Sequence, residues 1–251
     1  GDTVYVLVKQ TPETDTASHV YLIRSFDGGN NFDNPVQLDH TGDSISRFPT
    51  VTTDALGNPI VAFMKFNPDF SNARWVVVRS FDFGNTFTSD TKSSGWSGGT
   101  VCDCCPGTLM CSGNTVTMLY RDNNSNIRDT WVGLSTDGGL SFSNGWNADG
   151  NNWNIVACPS TAPDCEIIGD SLYTVFTSGA GGMYRTYRSV SSISGSTAQP
   201  SQLLTGAVSG LNGQNYPRMA RYGNAMAIVW KQNVNGNDEL PIRFTNNIQN
   251  G

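Results

Sequence analysis

Ser25-Phe26-Asp27-Gly28-Gly29-Asn30-Asn31-Phe32, Ser80-Phe81-Asp82-Phe83-Gly84-Asn85-Thr86-Phe87 and Ser135-Thr136-Asp137-Gly138-Gly139-Leu140-Ser141-Phe142 are three copies of one pattern, spaced 55 residues apart. Each reads Ser-x-Asp-x-Gly-x-x-Phe. A fixed period of that length marks a repeat architecture, in which one supersecondary unit recurs. The Asp side chain can cap its own backbone, and the Gly supplies the positive φ of a tight turn. An apolar run leads into the Ser, as in Val20-Tyr21-Leu22-Ile23 and Trp75-Val76-Val77-Val78. The closing Phe is expected to plug the turn onto the core of its unit. The pattern therefore predicts a hairpin corner between two antiparallel strands.

A second repeat supports the first. Phe48-Pro49, Cys105-Pro106, Cys158-Pro159 and Tyr216-Pro217 recur with proline intervals of 57, 53 and 58. After each comes a turn (Gly57-Asn58, Gly113-Asn114, Gly169-Asp170, Gly223-Asn224), then an apolar run starting at Ile60, Val116, Leu172 or Met226. Pro is tolerated at a strand start because its missing N–H falls at the end of the ladder. Each unit thus predicts an inner strand, a turn, a second strand, a loop, a third strand, the Ser–Phe corner and a fourth strand. Four short antiparallel strands per unit is a propeller blade. The expected fold is all-β: a single β-propeller over residues 1–251 of about five blades, near 1–44, 45–98, 99–152, 153–210 and 211–251. The fourth unit has Ser189-Val190-Ser191-Ser192-Ile193-Ser194-Gly195 where a corner should be. A six-bladed ring with one blade outside this chain is the alternative.

Composition agrees. The chain has 251 residues, 27 of them Gly, and only 14% are charged. No stretch sustains a 3.6-residue apolar period, so long helices are not expected. The net charge of −6 argues against nucleic acid as a partner, because phosphate binding needs a basic face. No apolar run is long enough to span a membrane. The chain opens Gly1-Asp2-Thr3-Val4 without a Met, which reads as a processed or partial chain.

Six cysteines lie in two clusters: Cys102, Cys104, Cys105 and Cys111, then Cys158 and Cys165. An even number at close spacing favours disulfides and an oxidising, extracellular setting. By the repeat, Cys105 matches Cys158 and Cys111 matches Cys165. Stitching between neighbouring units, as by Cys111–Cys165, is expected. Local bridges among Cys102, Cys104 and Cys105 are the fallback. A four-thiolate metal site beside Asp103 is the competing chemistry, but His19 and His40 are the only histidines. No metal and no cofactor are assigned.

The repeated corner resembles the Asp-box (BNR) motif of sialidase-like β-propellers. Cys102-Asp103-Cys104-Cys105-Pro106 resembles a bacterial subgroup of such proteins with no established reaction. The resemblance implies a site on the axial face. Arg47-Phe48-Pro49 is similar to the family's Arg-Ile-Pro motif, and Arg121 to a second clamp arginine. Guanidinium forks match a carboxylate in a bidentate way. Tyr216, before Pro217, stands like the nucleophilic Tyr, and Asp69 lies in the loop of the general acid/base. Cys105-Pro106 stands where the family has Glu-Pro, so the nucleophile's partner is missing, and Arg185 lies only in the vicinity of a third clamp arginine. Arg128 and Lys231 complete the candidate ligand-binding set. Trp75, Trp96, Trp131, Trp146 and Trp153 suit either sugar faces or blade packing. The expected function is a secreted or cell-surface module that binds glycan or another surface protein without full sialidase catalysis. An exo-acting sialidase-like glycoside hydrolase and a structural subunit of a larger surface assembly are the alternatives.

Overall fold

The computed structural model describes residues 2–10, 18–39 and 45–248. Among them are twenty-one strands and no α-helix. They form five sheets that follow the chain. The first holds β1 (Val4–Lys9), β2 (Val20–Ser25) and β3 (Val36–Gln37). The second holds β4 (Ile45–Thr53), β5 (Pro59–Phe66), β6 (Arg74–Arg79) and β7 (Thr91–Lys92). The third holds β8 (Thr100–Val101), β9 (Thr108–Ser112), β10 (Thr115–Asn123), β11 (Thr130–Ser135) and β12 (Asn144–Asn147). The fourth holds β13 (Asp164–Ile168), β14 (Ser171–Ser178), β15 (Arg185–Ser192), β16 (Thr197–Ala198) and β17 (Gln202–Leu203). The fifth holds β18 (Leu211–Tyr222), β19 (Ala225–Val234), β20 (Asn237–Glu239) and β21 (Ile242–Thr245). Pairing is antiparallel, for example along β4–β5–β6 and β13–β14–β15.

Two compact units emerge. One comprises Gly1–Gly95, Leu109–Met118 and Gly133–Asn144; the other comprises Trp96–Thr108, Leu119–Val132 and Gly145–Gly251. In the first unit, Val20, Leu22, Leu38, Val61, Phe63, Val76 and Val78 form one buried cluster, with Tyr5, Leu7, Val51 and Phe87 packed on it. The period-two spacing of Val20/Leu22, Val61/Phe63 and Val76/Val78 is what brings one face of each strand to that core.

The three repeated corners share one hydrogen-bond plan. Ser25 Oγ donates to Asp27 Oδ1 (2.7 Å) and accepts from Gly29 N (2.9 Å), while Asn31 N donates to the same Asp oxygen (2.9 Å). Ser80/Asp82 receive Gly84 N and Thr86 N at 2.7 and 2.9 Å, and Ser135/Asp137 receive Gly139 N and Ser141 N at 2.8 and 2.9 Å. These donors hold the Asp27, Asp82 and Asp137 carboxyls down to about 2. Phe87 packs on the core as expected, but Phe32 is 48% exposed. Its ring covers its own turn instead, 3.8 Å from where a Gly29 Cβ would stand.

Two features escaped the sequence reading. Arg24 and Arg79, each just before a corner Ser, reach the next corner in the repeat. Arg24 Nη1 donates to Phe83 O (3.1 Å) and Arg79 Nη1 to Gly138 O (2.7 Å). The matching third residue is Leu134, which has no donor. In the fourth sheet a distant carboxylate replaces the lost corner Asp: Asp170 accepts from Ser192 Oγ, Ser194 N and Ser194 Oγ at 2.8–2.9 Å.

Candidate functional site

The prolines of the second repeat mark irregular backbone. The β4–β5 register slips between Arg47 and Thr50, and the β18–β19 register slips between Asn215 and Arg218. Phe48 and Tyr216, the residues before Pro49 and Pro217, have φ of 52° and 54°. That left-handed region is unusual for an aromatic residue. A bulge there re-aims a side chain and ends regular pairing. In the third sheet the same point is a full break: Cys102–Gly107 separates β8 from β9, which pair with the same strand β10.

Tyr216 opens onto a groove of about 510 Å³, within the range of small-ligand sites. Its lining includes Tyr184, Asn212, Asn215, Lys231 and Asp238. Tyr216 is 49% exposed. Lys231 Nζ pairs with Asp238 Oδ2 at 2.8 Å, and Asn233 Nδ2 donates to Asp238 Oδ1 at 3.0 Å. Asp238 raises the Lys231 pKa, and the Asn233 and Lys231 donors lower that of Asp238. Asn215 Oδ1 accepts from Thr177 Oγ1 (3.0 Å) and from Tyr216 N (2.9 Å), which fixes the bulge. A separate, apolar cavity of about 220 Å³ is lined by Val175, Leu204, Met219, Met226, Ile228 and Phe244, among others.

Arg121 sits behind this groove. It is fully buried, and its Nη1 and Nη2 donate to Arg128 O (2.5 Å) and Thr177 O (2.7 Å). Its guanidinium lies 5.1 Å over the Trp153 ring, which meets Tyr184 edge-on at 5.1 Å. Arg121 is expected as a clamp, but the structure places it buried behind the groove rather than in its lining. Its two terminal nitrogens hold backbone carbonyls, and it supports the groove through Trp153–Tyr184 and Thr177–Asn215. Two buried carboxylates stand near it, Asp122 beside it in sequence and Asp149 close enough to feel its charge. Asp122 is raised to about 6 by burial, and Asp149 is raised to about 7 by burial and by the Asp129 charge.

In the other unit, the Arg47 guanidinium lies 5.4 Å over Phe66 and 5.0 Å over Phe70. Asp69 is exposed and accepts from Ser71 Oγ (2.6 Å) and Ser71 N (3.0 Å), which lower its pKa. An acid held ionised is poorly suited to donate a proton. Trp75, Trp146 and Trp153 are buried and pack, whereas Trp96 and Trp131 are half-buried.

The cysteines rearrange the expected pairing. The disulfide joins Cys104 to Cys158. No Cys111–Cys165 bridge forms: Cys111 is a free thiol whose Sγ faces Gly113 O, and Cys165 is buried on β13 outside any disulfide. Strand repetition put Cys105 level with Cys158, but the break after β8 turns Cys104 toward Cys158 and buries Cys105 instead. Cys105 Sγ lies 2.6 Å from Cys102 Sγ, and Arg128 Nη1 lies 3.1 Å from Cys102 Sγ. So Arg128 faces sulfur rather than the groove.

No family model and no curated protein matches the chain. Solved structures do. It is similar to Trypanosoma rangeli sialidase in complex with 2,3-difluorosialic acid, a covalent intermediate (TM-score 0.62, 12% identity, covering 98% of this chain and 43% of that one). It is also similar to Penicillium chrysogenum alpha-L-arabinanase complexed with arabinobiose (TM-score 0.54, 16% identity, 91% and 74%). A third likeness is the GH93 alpha-L-arabinofuranosidase of Fusarium graminearum with arabinobiose (TM-score 0.55, 13% identity, 92% and 74%). The chain thus spans less than half of the sialidase and about three quarters of the two arabinan-acting proteins. At these identities the likeness shows the fold alone, an all-β propeller. No helix among the described residues is long and apolar enough to cross a membrane.

Proposed function

We propose that this chain is an extracellular carbohydrate-binding propeller that seats a sugar in the Tyr216 groove and does not hydrolyse it. The observation that carries this reading is the Tyr216 bulge: a strained, half-exposed aromatic ring set in a polar groove. Local strain of this kind costs about 1–3 kcal/mol and clusters at ligand sites. A sugar presents an apolar C–H face and a rim of hydroxyls. The phenol ring suits the first, and the amides of Asn212 and Asn215 with the Lys231–Asp238 pair suit the second. The arabinobiose and difluorosialic acid in the structural neighbours support carbohydrate as the ligand class.

Three placements among the described residues speak against hydrolysis of the sialidase kind. Arg121 is buried behind the groove, and a buried Cys105 stands where the resemblance calls for a Glu. The lining carboxylate at Tyr216 is Asp238, already engaged by Lys231. A phenol with no neighbouring base to take its proton is a weak nucleophile. A glycan array probed with the purified chain tests the reading. Binding to a defined sugar class is expected, weakened about tenfold or more by Tyr216→Ala, equal to ~1.4 kcal/mol. Fluorogenic sialosides and arabinosides should show no turnover from acid to neutral pH. Turnover would replace this reading with the hydrolase, and a blank array would replace it with a protein-binding or structural role in a surface assembly.

A further inference from the structure

Four cysteines that the groove does not use converge on one point. The sulfurs of Cys102, Cys104, Cys105 and Cys158 all lie within 4.8 Å of one another. We propose that Cys102 and Cys105 are a redox-active dithiol that exchanges with the Cys104–Cys158 disulfide, making this cluster a thiol–disulfide exchange site open to small thiols and disulfides through Cys158.

Sequence and geometry both support it. Cys102-Asp103-Cys104-Cys105 is a Cys-x-x-Cys pair with a third cysteine inside it. The break between β8 and β9 frees this segment from the ladder, and Cys105 N donates to Cys102 O (3.2 Å) to close a turn. Cys102 Sγ stands 2.6 Å from Cys105 Sγ and 3.6 Å from Cys104 Sγ, one half of the disulfide. The attacking group must be a thiolate. The Cys105 hydrogen bond, with help from Arg128, pulls the Cys102 thiol down to about 7, while the same bond and burial push Cys105 up. One sulfur is thus activated and its partner held as the thiol. Exposure is divided as well: Cys102 and Cys105 are buried, Cys104 is half-buried and Cys158 is exposed.

The exchange balances without an added reagent. The Cys102 thiolate attacks Cys104 Sγ, an S102–S104 bond forms, and the S104–S158 bond breaks with its electron pair on Cys158. Ser160 Oγ, 3.0 Å from Cys158 Sγ, can donate to that thiolate. Cys105 then gives up its proton, which passes to the Cys158 thiolate, and attacks Cys102. The S102–S105 bond forms and Cys104 leaves as a thiolate. One disulfide and one thiolate are present before and after. The buried pair is now oxidised and the exposed pair reduced. A small-molecule disulfide arriving from solvent can re-oxidise Cys104 and Cys158, leaving as two thiols.

Native chain that has never met a reductant provides the test. Iodoacetamide is added, the chain is unfolded under acid, and peptides are mapped by mass spectrometry. Alkylation of Cys158 is expected together with a Cys102–Cys105 disulfide, at a rate that rises with pH around neutrality. Cys102→Ser should slow Cys158 alkylation about tenfold or more, and Cys105→Ser should trap a Cys102–Cys104 disulfide. Melting curves of both variants check that they fold. The proposal is overturned if wild-type Cys158 stays unalkylated while Cys102 and Cys105 map as thiols. It is equally overturned if four alkylatable cysteines co-purify with a stoichiometric metal ion, or if both disulfides are closed and neither ever exchanges.

Discussion

The same point of the repeat takes two forms. In the second and fifth sheets, Phe48-Pro49 and Tyr216-Pro217 make a bulge with a left-handed aromatic residue. In the third sheet, Cys105-Pro106 belongs to a strand break stapled by sulfur. The contrast teaches that the repeat specifies an irregularity, while the residue placed there sets the chemistry. An aromatic residue gives a surface for a ligand, and cysteine gives a covalent cross-link with reactive neighbours.

The covalent form should be the harder one to break. The Cys104–Cys158 bond spans 54 residues of sequence, so its removal costs ~4 kcal/mol by the chain-entropy estimate. Cys158→Ser is expected to lower the melting temperature by roughly 10 °C, whereas Cys111→Ser, a free thiol, should leave it nearly unchanged. Equal melting of the two variants would show that the strand break holds itself without the staple.

Arg121 lies next in size, and it separates a binding role from a supporting one. Arg121→Leu leaves the carbonyls of Arg128 and Thr177 without their donor and removes the cation over Trp153. A loss of about 3 kcal/mol in denaturant unfolding is expected, together with weaker carbohydrate binding whatever the charge of the sugar. A clamp arginine would behave in the opposite way, with stability intact and affinity lost only for acidic sugars.

The corners were legible because their chemistry is local: Ser25, Asp27 and Gly29 complete their bonds within a few residues. The strand periods were legible for the same reason. What stayed hidden depends on distant partners. Arg24 and Arg79 look like ordinary surface cations until they are seen to reach carbonyls 59 residues away. The Cys104–Cys158 pairing requires a break that strand repetition does not foretell. Arg121 resembles a clamp arginine by its place in the repeat, while the two carbonyls that hold it leave no trace in the sequence.

Carboxylates sharpen the same division. Those at the corners are held low by donors, but Asp122, beside Arg121, is raised to about 6 by burial. The fold binds the Asp122 proton more tightly than the unfolded chain does, so its stabilising effect is full below pH ~4 and is lost as pH rises through ~6. Asp122→Asn should therefore gain ~2 kcal/mol over wild type near pH 8 and nothing near pH 4. A gain that does not depend on pH would mean that the carboxylate is not the source of the cost.

The smallest effect tests the bulges themselves. Asn tolerates a left-handed φ better than an aromatic residue does. Tyr216 is half-exposed, so Tyr216→Asn gives up little packing and relieves the backbone, and a stability change of about +0.5 kcal/mol is expected with carbohydrate binding lost. Phe48 is less exposed, and Phe48→Asn should cost about 1 kcal/mol because lost burial outweighs the same relief. Opposite signs in urea unfolding would mean that the Tyr216 ring is kept for what it meets in the groove and the Phe48 ring for what it packs against. Equal losses would make Tyr216 a packing residue too, and would remove the ring from the binding site.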